Sequence, residues 1–65
     1  GNYNDKVVVP DLTGKDDKEA SDILKSVGLK IKPNGEGMVT DQKPEPGQEV
    51  KKGTTIDVDF EMYLD

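Results

Sequence analysis

The stretch Gln42-Lys43-Pro44-Glu45-Pro46-Gly47-Gln48-Glu49-Val50-Lys51-Lys52-Gly53-Thr54 limits what this chain can become more than any other part of it. Two prolines and two glycines stand between Pro44 and Gly53. Neither a helix nor a central strand tolerates that density. Proline has no N–H to donate, and glycine loses the most chain entropy on ordering. Pro46-Gly47 suits the two central positions of a type II turn, which want a proline-like φ and then a positive one. Gly53 marks a second reversal just before a clear strand. The stretch is therefore an ordered connection that carries the chain from one strand to the next.

Those flanks are readable. Asp16 is a good N-cap and Glu19 stands three residues on, the spacing of a capping box. Asp17 adds favourable charge to the first turn. Ala20, Ile23, Leu24 and Val27 recur at helical spacing and form one apolar stripe. Gly28 supplies the stop. The pattern predicts a helix from Asp16 to Val27. From Thr54 to Met62 the period changes to two, with Ile56, Val58, Phe60 and Met62 on one face and Thr55, Asp57, Asp59 and Glu61 on the other. Leu29-Lys30-Ile31-Lys32 reads as a half-buried strand ended by Pro33. Asn34 to Gly37 is a turn, and Met38 to Gln42 is a short return strand of poor alternation, completing a hairpin. Val7-Val8-Val9-Pro10 suits a short edge segment, since Pro10 cannot donate to a ladder. Asp11 to Gly14 is a turn anchored by Leu12, and Val50 is the apolar plug under the proline-rich connection. The apolar faces of helix and last strand predict an α+β domain, one amphipathic helix packed on a three-stranded β-sheet.

Size allows one domain: residues 1–6 are a lead-in, 7–62 the folded unit and 63–65 a tail. At 65 residues, 31% of them hydrophobic and with no Cys, the chain has neither a large core nor a staple. Its net charge of −5 argues against nucleic acid, whose binders need clustered cations, and equally against an anionic membrane surface. No apolar run approaches a membrane span. The chain reads as a piece of a larger protein, monomeric when isolated.

Catalysis finds no support. The chain has no His and no Cys, so the common general bases and nucleophiles are missing. Ser21 and Ser26 are followed three residues on by Leu24 and Leu29, not by the lysine of a Ser-x-x-Lys motif. Lys52-Gly53-Thr54 is in the wrong order for Lys-Thr-Gly. Gly35 and Gly37 open a glycine-rich loop, but Thr40 stands where its third glycine belongs. No cofactor is expected. The row Asp57, Asp59, Glu61 could hold Ca²⁺ through oxygen ligands. The plainer reading is the solvated face of an outer strand, with Lys30 and Lys32 as counter-charges, because alternation alone produces such a row.

One ordered set of residues resembles a known family. Val9-Pro10-Asp11-Leu12-x-Gly14 precedes the capped helix with Ala20, Leu24 and Gly28-Leu29. Val39-x-x-Gln42-x-Pro44-x-Pro46-Gly47 and Val50-x-x-Gly53-x-x-Ile56 follow. The order and spacing resemble a PASTA domain, the module appended to bacterial penicillin-binding proteins and membrane serine/threonine kinases. The resemblance implies a helix on a three-stranded sheet, a place outside the bacterial cell membrane in a membrane-anchored parent, and no activity of its own. It implies two functions. One is weak recognition of peptidoglycan fragments. The other is a spacer or docking surface that positions the parent's catalytic domain. For the first, Gln42, Lys43, Lys51 and Lys52 offer donors to the carboxylates, amides and hydroxyls of a muropeptide. A partly desolvated lysine–carboxylate hydrogen bond is worth about 1.5–3 kcal/mol, and an exposed one about 0–1 kcal/mol. Ligand-binding members hold carboxylates with Arg. This chain has none, and Lys lacks the bidentate fork. Tyr3 and Tyr63 lie at the two ends, so a sugar-stacking platform would have to be assembled from tails.

Overall fold

The computed structural model describes residues 5–62. The lead-in before Asp5 and the tail after Met62, with Tyr3 and Tyr63, lie outside the described residues. Six elements follow in order: β1 (Lys6–Val8), α1 (Asp17–Ser26), β2 (Lys30–Gly35), β3 (Met38–Lys43), β4 (Glu49–Lys51) and β5 (Thr55–Glu61). One helix packs on a three-stranded sheet of order β2-β5-β3, and β1 and β4 form a separate antiparallel pair.

The helix begins where its cap dictates. The Asp16 side chain accepts from the Glu19 N–H at 2.7 Å, and the Glu19 carboxylate accepts from the Asp16 N–H at 3.4 Å. It ends in a Schellman arrangement, with the Leu29 N–H donating to the Leu24 carbonyl at 2.8 Å and the Gly28 N–H to Lys25 at 3.0 Å. Ala20 and Leu24 are buried, and Ile23 and Val27 pack against the core from its margin. From the sheet, Ile56, Val58 and Phe60 of β5 and Val39 of β3 fill the other side, with Val9, Leu12 and Leu29 sealing the edges.

The central position of β5 orders the rest. It pairs in parallel with β2, from Lys30↔Thr55 to Gly35↔Phe60, and antiparallel with β3, from Met38↔Glu61 to Lys43↔Asp57. The expected hairpin of β2 and β3 is therefore absent, and the expected outer strand is the middle one. Glu36 and Gly37 carry the chain across the end of β5, a span of two strand spacings or about 10 Å. The crossing runs against the β5 backbone. A Cβ at Gly35 would strike the Phe60 carbonyl oxygen, and one at Gly37 the Glu61 carbonyl oxygen. Gly37 also sits at φ +117°, where side chains are disfavoured. The Gly-x-Gly pair serves a close backbone approach.

Two further expectations are corrected by the same geometry. β2 does not end at Pro33 but continues to Gly35. As an outer strand it can point the donorless side of proline away from its only partner. Met62 lies past the end of β5 and is 65% exposed, so the apolar face stops at Phe60.

β3 owes its poor alternation to a bulge. Val39 pairs with Phe60 and Asp41 with Asp59, so Thr40 is one residue too many. Val39 and Gln42, three apart in sequence, consequently both point into the core.

Candidate ligand-binding surface

The proline-rich connection folds as two turns. In the first, the Gln48 N–H donates to the Glu45 carbonyl at 3.2 Å around Pro46-Gly47, with Gly47 at φ +91°. The Gln48 side chain accepts from the Glu45 N–H at 2.9 Å and tightens it. The turn is fastened to the segment after β1. The Gly47 N–H donates to the Val9 carbonyl at 2.9 Å, and the Val9 N–H to the Gln48 carbonyl at 2.8 Å. The Lys43–Pro44 peptide bond is cis. The second turn runs from Lys51 to Thr54 and is held by Thr54 N–H to Lys51 carbonyl at 3.1 Å. It docks on the end of the helix through the Gly53 N–H and the Gly28 carbonyl, 2.8 Å apart.

These turns separate the four residues read as ligand contacts. Gln42 is buried, with 4% of its surface exposed. Its Oε1 accepts from the Leu12 N–H at 2.9 Å and its Nε2 donates to the Pro10 carbonyl at 2.8 Å. Gln42 thus closes the hydrogen bonding of a Pro10–Leu12 segment that belongs to no strand, and it presents no donor to the surface. Lys43 is exposed at the mouth of a cleft of about 370 Å³, lined also by Pro44, Glu45, Gln48, Val50, Thr55 and Asp57. That is the small end of ligand pockets. Lys51 stands opposite Lys6 on β1, and the stem of Lys52 lies over Gly28. Both lysines are exposed, but neither lines the cleft.

Sequence reasoning placed no ligand contact at Glu45, Gln48, Thr55 or Asp57. Their convergence depends on the two turns bringing Glu45, Gln48 and Val50 to the cleft that Thr55 and Asp57 of β5 also line, and no local spacing announces that.

The acidic row lies along the open face of the sheet. Asp57 has Lys32 on one side and Lys43 on the other, whereas Lys30 stands opposite Thr55. Asp59 accepts from Asn34 Nδ2 at 3.2 Å, and the Glu61 carboxylate accepts from the Thr40 hydroxyl at 3.4 Å. Among the described residues no three His, Cys, Asp or Glu side chains converge as metal ligands. The Asp11 carboxyl has its own local partners. The Thr13 N–H, 3.0 Å away, holds it below the ordinary value, the Thr13 hydroxyl and then nearby Lys15 assist, and slight desolvation opposes them.

The family model of the PASTA domain matches residues 7–62. The chain belongs to the PASTA domain family. PASTA domains are non-catalytic accessory modules, in general of cell-wall enzymes or kinases that engage peptidoglycan. Comparison with curated proteins and with solved structures finds no significant match. The buried Gln42 and the turn around Pro46-Gly47 are thus features of a PASTA fold in this chain.

Proposed function

We propose that this PASTA domain is the extracytoplasmic accessory module of a bacterial penicillin-binding protein or serine/threonine kinase, and that it recognises muropeptides weakly. The observation that carries the reading is the Lys43 cleft. Lys43 lines it together with the apolar Val50 and Pro44, the carboxylates Glu45 and Asp57 and the amide of Gln48. A stem peptide offers a carboxylate, amides and methyl groups, one class of group for each. With exposed contacts of about 0–1 kcal/mol each, a single module binds in the millimolar range. Linked modules would multiply that by raising effective concentration. The test is a titration of the ¹⁵N-labelled domain with muropeptides of differing stem. Saturable shifts at Lys43, Gln48 and Thr55 are expected, and flat spectra to millimolar ligand refute the site.

A second reading, a spacer or docking module for the parent's catalytic domain, is favoured by the lack of Arg and by the internal use of the Gln42 amide. Replacing the domain by an inert linker of equal length separates the readings. Loss of parent activity without loss of wall binding supports docking. Loss of wall binding supports recognition.

A further inference from the structure

The charges of this domain are sorted along β5. At the level of Thr54 and Thr55, where the strand begins, lie Lys30, Lys51 and Lys52, with Lys6 opposite Lys51. One pleat further, Lys32 and Lys43 flank Asp57. At the level of Asp59 and Glu61, where the strand ends, the neighbours are Asp41, the Glu36-Gly37 crossing, and Asp16, which bridges to Met38. The lysines nearest that end are Lys15, whose carbonyl accepts from the Val39 N–H, and Lys18, which pairs with Asp22 at 3.7 Å. Lysines outnumber carboxylates at one end, where Asp5 also lies, and carboxylates outnumber lysines at the other, roughly 20 Å away by the rise of a seven-residue strand.

The acidic end also carries apolar surface. Met38 is 50% exposed and Met62 65%. Together with Val39, Thr13 and Gly14 they line a cleft edged by Thr40 and Glu61. Methionine adapts its shape to what packs on it. Lysine is the side chain whose apolar stem and cationic tip need an apolar wall with a carboxylate rim. The segment leading into β1 lies beside the lysine-rich end, where the Lys52 N–H bonds to the Asp5 carbonyl, and Met62 leaves beside the acidic end. Entry and exit are therefore at opposite ends.

We propose that copies of this domain associate end to end, the acidic, methionine-bearing end of one receiving the lysines of the β1–β4 end of the next. The contact is heterologous, so it propagates in a line instead of closing as a symmetric dimer. It is weak between free copies, with a dissociation constant on the order of 1 mM at low salt. At micromolar concentration the domain is monomeric. Modules tethered in series reach millimolar effective concentration and would align.

The test follows amide shifts and translational diffusion of the labelled domain as its concentration is raised, in about 10 mM and then about 0.5 M salt. Slower diffusion and shifts at both ends, at Lys30 and Lys51 and at Met38 and Glu61, are expected in low salt only. A charge swap sharpens it. Lys6→Glu with Lys30→Glu removes the lysine excess of one end, and Glu36→Lys with Asp41→Lys removes the carboxylate excess of the other. Neither should self-associate, and a mixture should regain a single wild-type contact, seen as one-to-one pairing that does not propagate. No concentration dependence at low salt, shifts at one end alone, persistence in high salt, or a mixture no stronger than its components would each overturn the proposal. If a swapped variant failed to fold, the salt dependence of the unmodified chain still decides.

Discussion

β5 and β3 are neighbours in one sheet, yet their sequences speak differently. β5 alternates without error, and Ile56, Val58 and Phe60 are all buried. β3 puts Val39 and Gln42 inside although they are three apart. The difference is the extra residue at Thr40. A bulge lets a strand keep its buried face while breaking the period that would reveal it. It also lets a polar side chain into the core, provided that unpaired backbone groups wait there. The Leu12 N–H and the Pro10 carbonyl are those groups.

The largest break should come where β3 begins. Gly37→Ala forces a Cβ against the Glu61 carbonyl on β5 at a φ that disfavours side chains. Total stability for a chain of this size is roughly 3–10 kcal/mol, and neither backbone can give way. Loss of the thermal transition and collapse of amide dispersion are expected. Next comes Gln42→Leu, which keeps the volume and removes both hydrogen bonds. Two buried backbone groups left unsatisfied cost about 2–4 kcal/mol, read by denaturant midpoint. Were β3 an ordinary strand with an apolar inner face, the same change would be neutral or stabilising.

Deletion of Thr40 separates the strands more sharply. It restores simple alternation, with Val39 inside, Asp41 outside and Gln42 inside, at a cost of about 1 kcal/mol. Deletion of Asp59 from β5 shifts every later residue to the opposite face and should abolish folding. Equal outcomes for the two deletions would mean that the bulge does not set the face of β3.

The smallest effect concerns Asp11. Its carboxyl is held below the ordinary value of 3.8, so the folded state gives up this proton more readily than the unfolded chain. The stability it adds is fully present above 3.8 and is lost as pH falls through the lowered folded value. Asp11→Ala should flatten that part of the acid unfolding curve and leave the slope near neutrality unchanged.

The same contrast explains what the sequence disclosed. The capped helix and β5 were legible because each signal is local: Asp16 and Glu19 name a helix start, and unbroken alternation names a strand. β2 running past Pro33 was not legible, because only the strand's position at the sheet edge permits it. The order β2-β5-β3 was hidden by adjacency, since neighbouring strands usually pair. The sign of the exception was Gly35-x-Gly37, whose need for close approach reads equally well as a turn. At the candidate site, Lys43 was legible as an exposed donor beside a rigid turn. The role of Gln42 was not, because a bulge and a distant segment together decide it.

The central claim is that adjacent residues divide the work: Gln42 inside holds the fold, and Lys43 outside is the proposed ligand contact. The measurement that tests it most directly follows the Gln42 side-chain amide and the Lys43 backbone amide together through a muropeptide titration. The account predicts saturable shifts at Lys43, Gln48 and Thr55, with the Gln42 Nε2 protons unmoved and slow to exchange. Rapid exchange and ligand-dependent shifts of the Gln42 side chain, or no shift around Lys43 at millimolar ligand, would contradict it.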